Sequence, residues 1–270
     1  MSEPSETSRV LEEGDLFFFY RPRVGKVEVE SLEDVQRFYM VMATRRAGGR
    51  WFRMFVVGRK RLPDIQPGRA DPNERNWAMV TLATSDPAEV RKELDEERYF
   101  TATRGERVVA AAKPVGAARS ELVVHRDHTE LAYTLELPEE PGPAQRELEI
   151  RNEASYVVAV RNPDIPSPPS MSGPRERPGY PERLAELFGG RRWISAEDVE
   201  LLDYPHAQIL MLGAREADVE QELGIHLEKE HESVNSAELF RLLRLRPTAV
   251  ALEPLLEGTF PESEFPHASR

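Results

Sequence analysis

Short runs of aromatic and β-branched residues constrain the fold of this chain more than any other feature of its sequence. One run is Asp15–Tyr20, and two longer runs, Arg37–Ala43 and Arg50–Gly58, are separated by a segment that contains Gly48-Gly49. Runs of this length and composition, bounded by glycine or proline, are typical of β-strands. The glycine pair between the last two runs predicts a β-hairpin. We therefore expect a core built largely on antiparallel sheet.

The other patterned segments predict a mixed architecture. Valine- and alanine-rich runs predict strands at Arg107–Ala112, Ser155–Val160, Ala207–Ala214 and Ala249–Leu256, and a hairpin over Glu121–Leu137 that turns at Arg126-Asp127. Capping residues and apolar periodicity predict helices at Ser85–Glu97, Pro181–Gly190, Ser195–Leu202, Glu216–Gly224 and Ser236–Arg246. The expected fold class is α+β, with a mostly antiparallel sheet or barrel in the N-terminal part and short helices and strands in the C-terminal part.

A proline-rich segment suggests how the chain is divided. Asn162–Pro181 contains seven prolines, which remove backbone donors and are not tolerated inside helices or strands. We expect it to be a linker or an ordered loop between a mainly β domain at 14–161 and a smaller α/β part at 182–260. Residues 1–13 and 261–270 are expected to be flexible tails.

Composition excludes several kinds of protein. The chain has 270 residues, a net charge of -12 and no cysteine, so disulfides, thiolate metal ligands and a cysteine nucleophile are excluded. Its polar, acidic N-terminus lacks the pattern of a signal peptide, and no apolar run is long enough to cross a bilayer. These features predict a cytoplasmic protein without a membrane partner.

One stretch departs strongly from the acidic background. Residues 37–69 carry nine Lys or Arg and one Asp. Because the predicted hairpin has one basic group at its turn and another at its far end, the two groups should lie about 25 Å apart. The turn group is Arg45, Arg46 and Arg50. We expect it to be an exposed, solvated hairpin tip.

The far group is the candidate binding site. It consists of Arg37, Arg59, Lys60 and Arg61, joined by the strand-end residues Arg21 and Arg23. Converging arginines can hold phosphate or carboxylate groups, which predicts a binding or interaction protein for an anionic nucleotide, RNA or acidic protein. The alternative is that these side chains pair with the surplus carboxylates of the same chain.

A second hypothesis for function is a hydrolytic enzyme with a dispersed site. His125, His128 and Glu130 lie close together in sequence, and His-x-x-His beside a carboxylate can ligate zinc. Their place at a hairpin turn favours exposed turn residues instead. The sequence has no phosphate-binding loop, dinucleotide fingerprint or nucleophile elbow, so no catalytic residue, metal or cofactor is assigned. Trp51, Trp77 and Trp193 could stack on a ligand, although Trp51 is expected to fill the core.

Overall fold

Antiparallel β-structure dominates the protein. A computed structural model describes residues 8–24, 29, 31–65, 75–101, 105–166, 176–215, 217–227, 238–245 and 251–260. The strands in this part of the chain are β1 (Arg9–Pro22), β2 (Val35–Arg46), β3 (Gly49–Val57), β4 (Arg75–Thr84), β5 (Glu97–Thr101), β6 (Gly105–Val109), β7 (Lys113–His125), β8 (His128–Leu137), β9 (Glu153–Arg161), β10 (Trp193–Ser195) and β11 (Gln208–Arg215).

Eight of these strands form a closed barrel. Their order is β9-β11-β4-β3-β2-β1-β7-β8, and pairing of β8 with β9 completes the ring. Every pair in the ring is antiparallel. Strand β10 adds to β9, and β5 pairs with β6 in a separate sheet. The expected antiparallel sheet is therefore present, and it is closed.

Alternation along the strands separates an inner core from an outer one. On β3, Phe55 and Val57 belong to the cluster that fills the barrel, whereas Phe52 and Met54 belong to an outer cluster. The outer cluster includes Val90 of a helix that packs on the barrel wall. Both faces of the predicted β2–β3 hairpin are thus covered, which explains why its sequence is apolar on both faces.

The helices are few and short. They are α1 (Pro87–Leu94), α2 (Pro143–Glu147), α3 (Glu182–Glu186), α4 (Val219–Leu223), α5 (Glu238–Leu243) and α6 (Glu253–Leu256). Helix α1 begins as predicted, because the Asp86 carboxylate accepts a hydrogen bond from the backbone N–H of Ala88 at 2.8 Å.

Two segments form a type of secondary structure other than the one predicted for them. The helix expected from Ser195 is instead the end of β10 followed by a 3-10 turn at Val199–Leu202, since the Ser195 hydroxyl bonds to Thr129 and Asp198 provides the cap. Of the strand expected over Ala249–Leu256, the structure describes residues 251–256, and Glu253–Leu256 form α6 because Pro254 stands in the first turn of a helix.

Strands from both sides of the proline-rich segment belong to the same sheet, although a division into two parts was expected there. Strands β10 and β11 come from the C-terminal part of the chain, yet β11 lies between β4 and β9. Residues 162–166 and 176–181 contain no helix or strand, but Asn162 is buried and Tyr180 packs on the core. Residues 167–175 and the expected tail 261–270 lie outside the described residues. Strand β1 begins at Arg9, inside the other expected tail, because its first residues pair with β7.

Candidate functional site

The two basic groups lie at opposite ends of the barrel. In the β2–β3 hairpin, Arg45 is opposite Arg50 beside the turn, and Phe38 is opposite Val57 at the far end. We call the first the turn end and the second the basic end. The predicted separation of the two groups follows directly from this register.

A buried arginine organises the turn end. Arg53 points into the barrel and has no exposed side-chain surface. Its guanidinium bonds to both oxygens of Glu12 and donates from Nε to Asp203 at 2.7 Å. Burial alone would lower the pKa of Arg53, but the hydrogen bonds and charges of Glu12 and Asp203 outweigh it and raise the pKa. Two carboxylates from distant parts of the chain therefore neutralise this cation.

The same carboxylates bind a second arginine at the mouth of a cleft. Arg46 donates to Glu12 at 3.1 Å and to Asp203 at 3.0 Å, and its guanidinium lies 4.9 Å from the centre of the Trp51 ring. Trp51 also donates from its indole nitrogen to Asp203. The cleft has a volume of about 610 Å³, and its rim includes Glu200.

Arg50 is paired as well, on the outer wall. The buried Asp15 carboxylate accepts from Arg50 at 2.7 Å and from Arg119 at 2.6 Å. Burial raises the pKa of Asp15, and the two arginines act against that shift. The prediction of a solvated tip was wrong for Arg46 and Arg50. It agrees better with Arg45, whose side chain is 52% exposed and lies 3.8 Å from Glu13.

Sequence reasoning missed this network because Glu12 lies in the expected tail, and Asp203 follows a predicted helix far from the arginines in sequence. A signal was nevertheless present in β3. Arg53 lies two residues from both Trp51 and Phe55, so the three side chains share one face of β3, and that face must point into the core. A charge at such a position requires buried partners of opposite sign.

Arg21, at the basic end, is buried and has a structural role. It is 3% exposed and donates to the Tyr39 hydroxyl and to the backbone carbonyls of Glu93, Asp95 and Ala110. Two of these carbonyls lie at the C-terminus of α1, where an arginine satisfies groups that lack helical partners. With its donors occupied by these contacts, Arg21 is not available to a ligand.

Three other predicted residues are exposed without ionic partners. Within the described chain, the side chains of Arg23, Arg37 and Arg59 make no hydrogen bond or ion pair. Lys60 donates to the backbone carbonyl of Val35. Burial, and then the positive charge of Arg23, lowers the pKa of Lys60.

Arg61 is the exception in this group, because its guanidinium lies 3.7 Å from the Glu149 carboxylate. The structure thus brings Arg23, Arg37, Arg59 and Lys60 around the ends of β2 and β3. Pairing with the chain's own carboxylates, the alternative raised for these residues, is seen only for Arg61 among the described residues.

His125 and His128 make hydrogen bonds at the β7–β8 turn. His125 Nδ1 lies 3.0 Å from the Ser8 hydroxyl, and His128 lies between Asp127 at 3.2 Å and Glu130 at 2.8 Å. Among the residues that the structure describes, no group of three or more His, Asp or Glu side chains has the arrangement of a metal site.

Comparison with known proteins adds no functional assignment. No protein-family model, curated protein or solved structure matches the chain. No helix in the described part of the chain has the length and apolar character needed to cross a membrane.

Proposed function

We propose that the protein binds a phosphate-bearing anionic ligand at the basic end of its barrel. The proposal rests on one contrast: the arginines of the turn end are bonded to carboxylates, whereas most of those at the basic end are not. Three exposed arginines, Arg23, Arg37 and Arg59, have no ionic partner within the described residues of a chain whose net charge is -12. Exposed guanidinium groups with free donors suit phosphate, which they can bind through two parallel hydrogen bonds.

The cleft at the turn end is a weaker candidate for this function. Its cations Arg46 and Arg53 are already bonded to Glu12 and Asp203, and Arg183 binds Asp198 and Glu200 at the rim. A ligand would have to displace these ion pairs before making its own contacts. At the basic end, Arg23, Arg37 and Arg59 have no ion pair with any described residue that a ligand would have to displace.

A salt titration with tripolyphosphate and longer polyphosphate tests the proposal. We expect polyphosphate to bind, and its log affinity to fall as log salt rises with a slope of about 0.7–0.9 per phosphate contact. The double variant Arg37→Ala with Arg59→Ala should weaken binding and reduce this slope by about 1.4–1.8.

The matched control is Arg9→Ala with Arg45→Ala, which removes two exposed cations at the turn end. It changes the net charge equally and should leave affinity nearly unchanged. Equal losses in the two double variants would show attraction to the overall field and contradict a local site. Absence of binding by the wild type, or binding of acidic peptide alone, would also contradict the proposal.

A further inference from the structure

Two tryptophans lie together on the outer wall of the barrel. The rings of Trp77 in β4 and Trp193 in β10 have centroids 5.1 Å apart and planes inclined by 53°. Trp77 points outward because its neighbour Ala78 belongs to the inner core. Both tryptophans are only half-buried. The pair therefore leaves indole surface available to a planar group.

Arginines surround the Trp193 side of this pair. Arg161 is opposite Trp193 in the β9–β10 register, and Arg192 precedes it in the chain. Burial, followed by the positive charges of Arg192 and Arg177, lowers the pKa of Arg161. Arg192 is exposed and has no ion pair within the described part of the chain. Arg161 already donates to the Gln208 side chain and to the Ile165 carbonyl, so Arg192 is the cation beside Trp193 that, among the described residues, has no such contact.

The Trp77 side connects to the basic end. The backbone N–H of Gly58 donates to the carbonyl of Trp77 at 2.6 Å, and Arg37 and Gly58 directly adjoin Phe38 and Val57, the last pair of the β2–β3 register. Arg37 of β2, Gly58 just past the end of β3 and Trp77 of β4 therefore form a row, about 10 Å from first to last.

Gly58 keeps the middle of this row open. It is exposed, and a Cβ atom on it would lie 3.2 Å from the Trp77 carbonyl oxygen and 3.5 Å from the Trp77 Cβ. Arg59 follows Gly58 directly. Arg75 lies two residues before Trp77 on the same face of β4 and is exposed. A strip with arginines along its length thus runs, within the described part of the chain, from the basic end to the tryptophan pair.

We propose that this strip binds single-stranded nucleic acid, with bases stacked on Trp77 and Trp193 and phosphates held by the arginines beside them. This inference rests on the proposed function and names its ligand class. Stacking on aromatic rings combined with a basic track is how proteins bind single strands of any sequence. An acidic peptide would use the arginines but would leave the tryptophans without a planar partner.

Binding of two probes of equal charge tests the inference. One is a short oligothymidylate and the other an abasic strand of the same length, which carries the same phosphates without bases. We expect the wild type to bind oligothymidylate at least about 5-fold tighter, since stacking contributes about 1–3 kcal/mol per base. Trp193→Leu should reduce this preference and leave affinity for the abasic strand unchanged.

Trp51→Phe is the matched control, because Trp51 lies in the cleft at the other end of the barrel. It should retain the full preference for oligothymidylate. Quenching of wild-type tryptophan fluorescence by oligothymidylate, and not by the abasic strand, provides a second readout that needs no variant.

The outcomes separate this inference from the proposed function. Equal affinity for the two strands would overturn base stacking while leaving anion binding intact. Failure to bind either strand or polyphosphate would overturn both. Binding of polyglutamate without either strand would identify an acidic protein as the partner and overturn the inference.

Discussion

The arginines at the two ends of the β2–β3 hairpin differ in burial and in ion pairing. At the turn end, Arg46, Arg50 and Arg53 bind carboxylates, and Arg53 is completely buried. At the basic end, Arg37 and Arg59 are exposed and lack ionic partners among the described residues. Proximity in sequence therefore says little about the role of a charge.

The difference follows from the acceptor groups that other segments of the chain place at each end of the hairpin. Glu12 of β1 and Asp203, just before β11, converge on the turn end and neutralise its cations. The main-chain carbonyls at the basic end accept bonds from Arg21 and Lys60 but cannot cancel their neighbours' charge. Cations at the turn end are held by ion pairs, while Arg23, Arg37 and Arg59 at the basic end have no ionic partner among the described residues.

The largest expected effect is at the turn end. Arg53→Met keeps a side chain of similar length and leaves Glu12 and Asp203 buried without their main partner. We expect the free energy of unfolding to fall by about 3–5 kcal/mol, as is usual when one member of a buried ion pair is removed. Urea denaturation followed by circular dichroism measures this loss. Adding Glu12→Gln should cost less in the Arg53→Met background than in the wild type, and strict additivity would show that the two groups are not coupled.

A smaller effect should separate the residues of the basic end from one another. Arg21→Ala removes four hydrogen bonds and uncaps α1, so we expect a loss of about 2–3 kcal/mol and faster amide exchange near Asp95. Arg37→Ala, at the same end, should stay within about 0.5 kcal/mol of the wild type. Similar losses in the two variants would mean that Arg37 has a structural role, against its proposed part in binding.

The smallest effect reports the charge at the basic end directly. The pKa of Lys60 should lie below that of an ordinary lysine and should rise in Arg23→Gln, because one of the two causes of the shift is removed. A folded-state pKa below the unfolded value means that folding becomes more favourable as pH rises through that interval. Titration of labelled lysines by NMR is practical, since the chain has only five. A Lys60 pKa unchanged in Arg23→Gln would contradict an unneutralised field, and Arg45→Gln is the control.

Local patterns predicted much of the β-structure but little of its closure. Aromatic and β-branched runs indicated β1, β2 and β3, and glycine located the first turn. Strand β4 was missed, although Ala78 and Val80 alternate with outward residues along it. Neither the barrel nor the charge network could be read locally, because Arg53 and Asp203 are 150 residues apart in sequence. Position at a strand end did identify three exposed cations, but it could not distinguish them from Arg21.

Closure of the barrel by β11 also sets an order of events during synthesis. Strand β11 fills the gap between β4 and β9, and it is the last barrel strand to leave the ribosome. Until it arrives, β4 lacks a neighbour on one side, and a nascent chain that ends in the proline-rich segment exposes an open sheet edge. Such edges pair readily with other chains. A protein truncated before residue 208 should therefore aggregate rather than persist as a smaller folded domain.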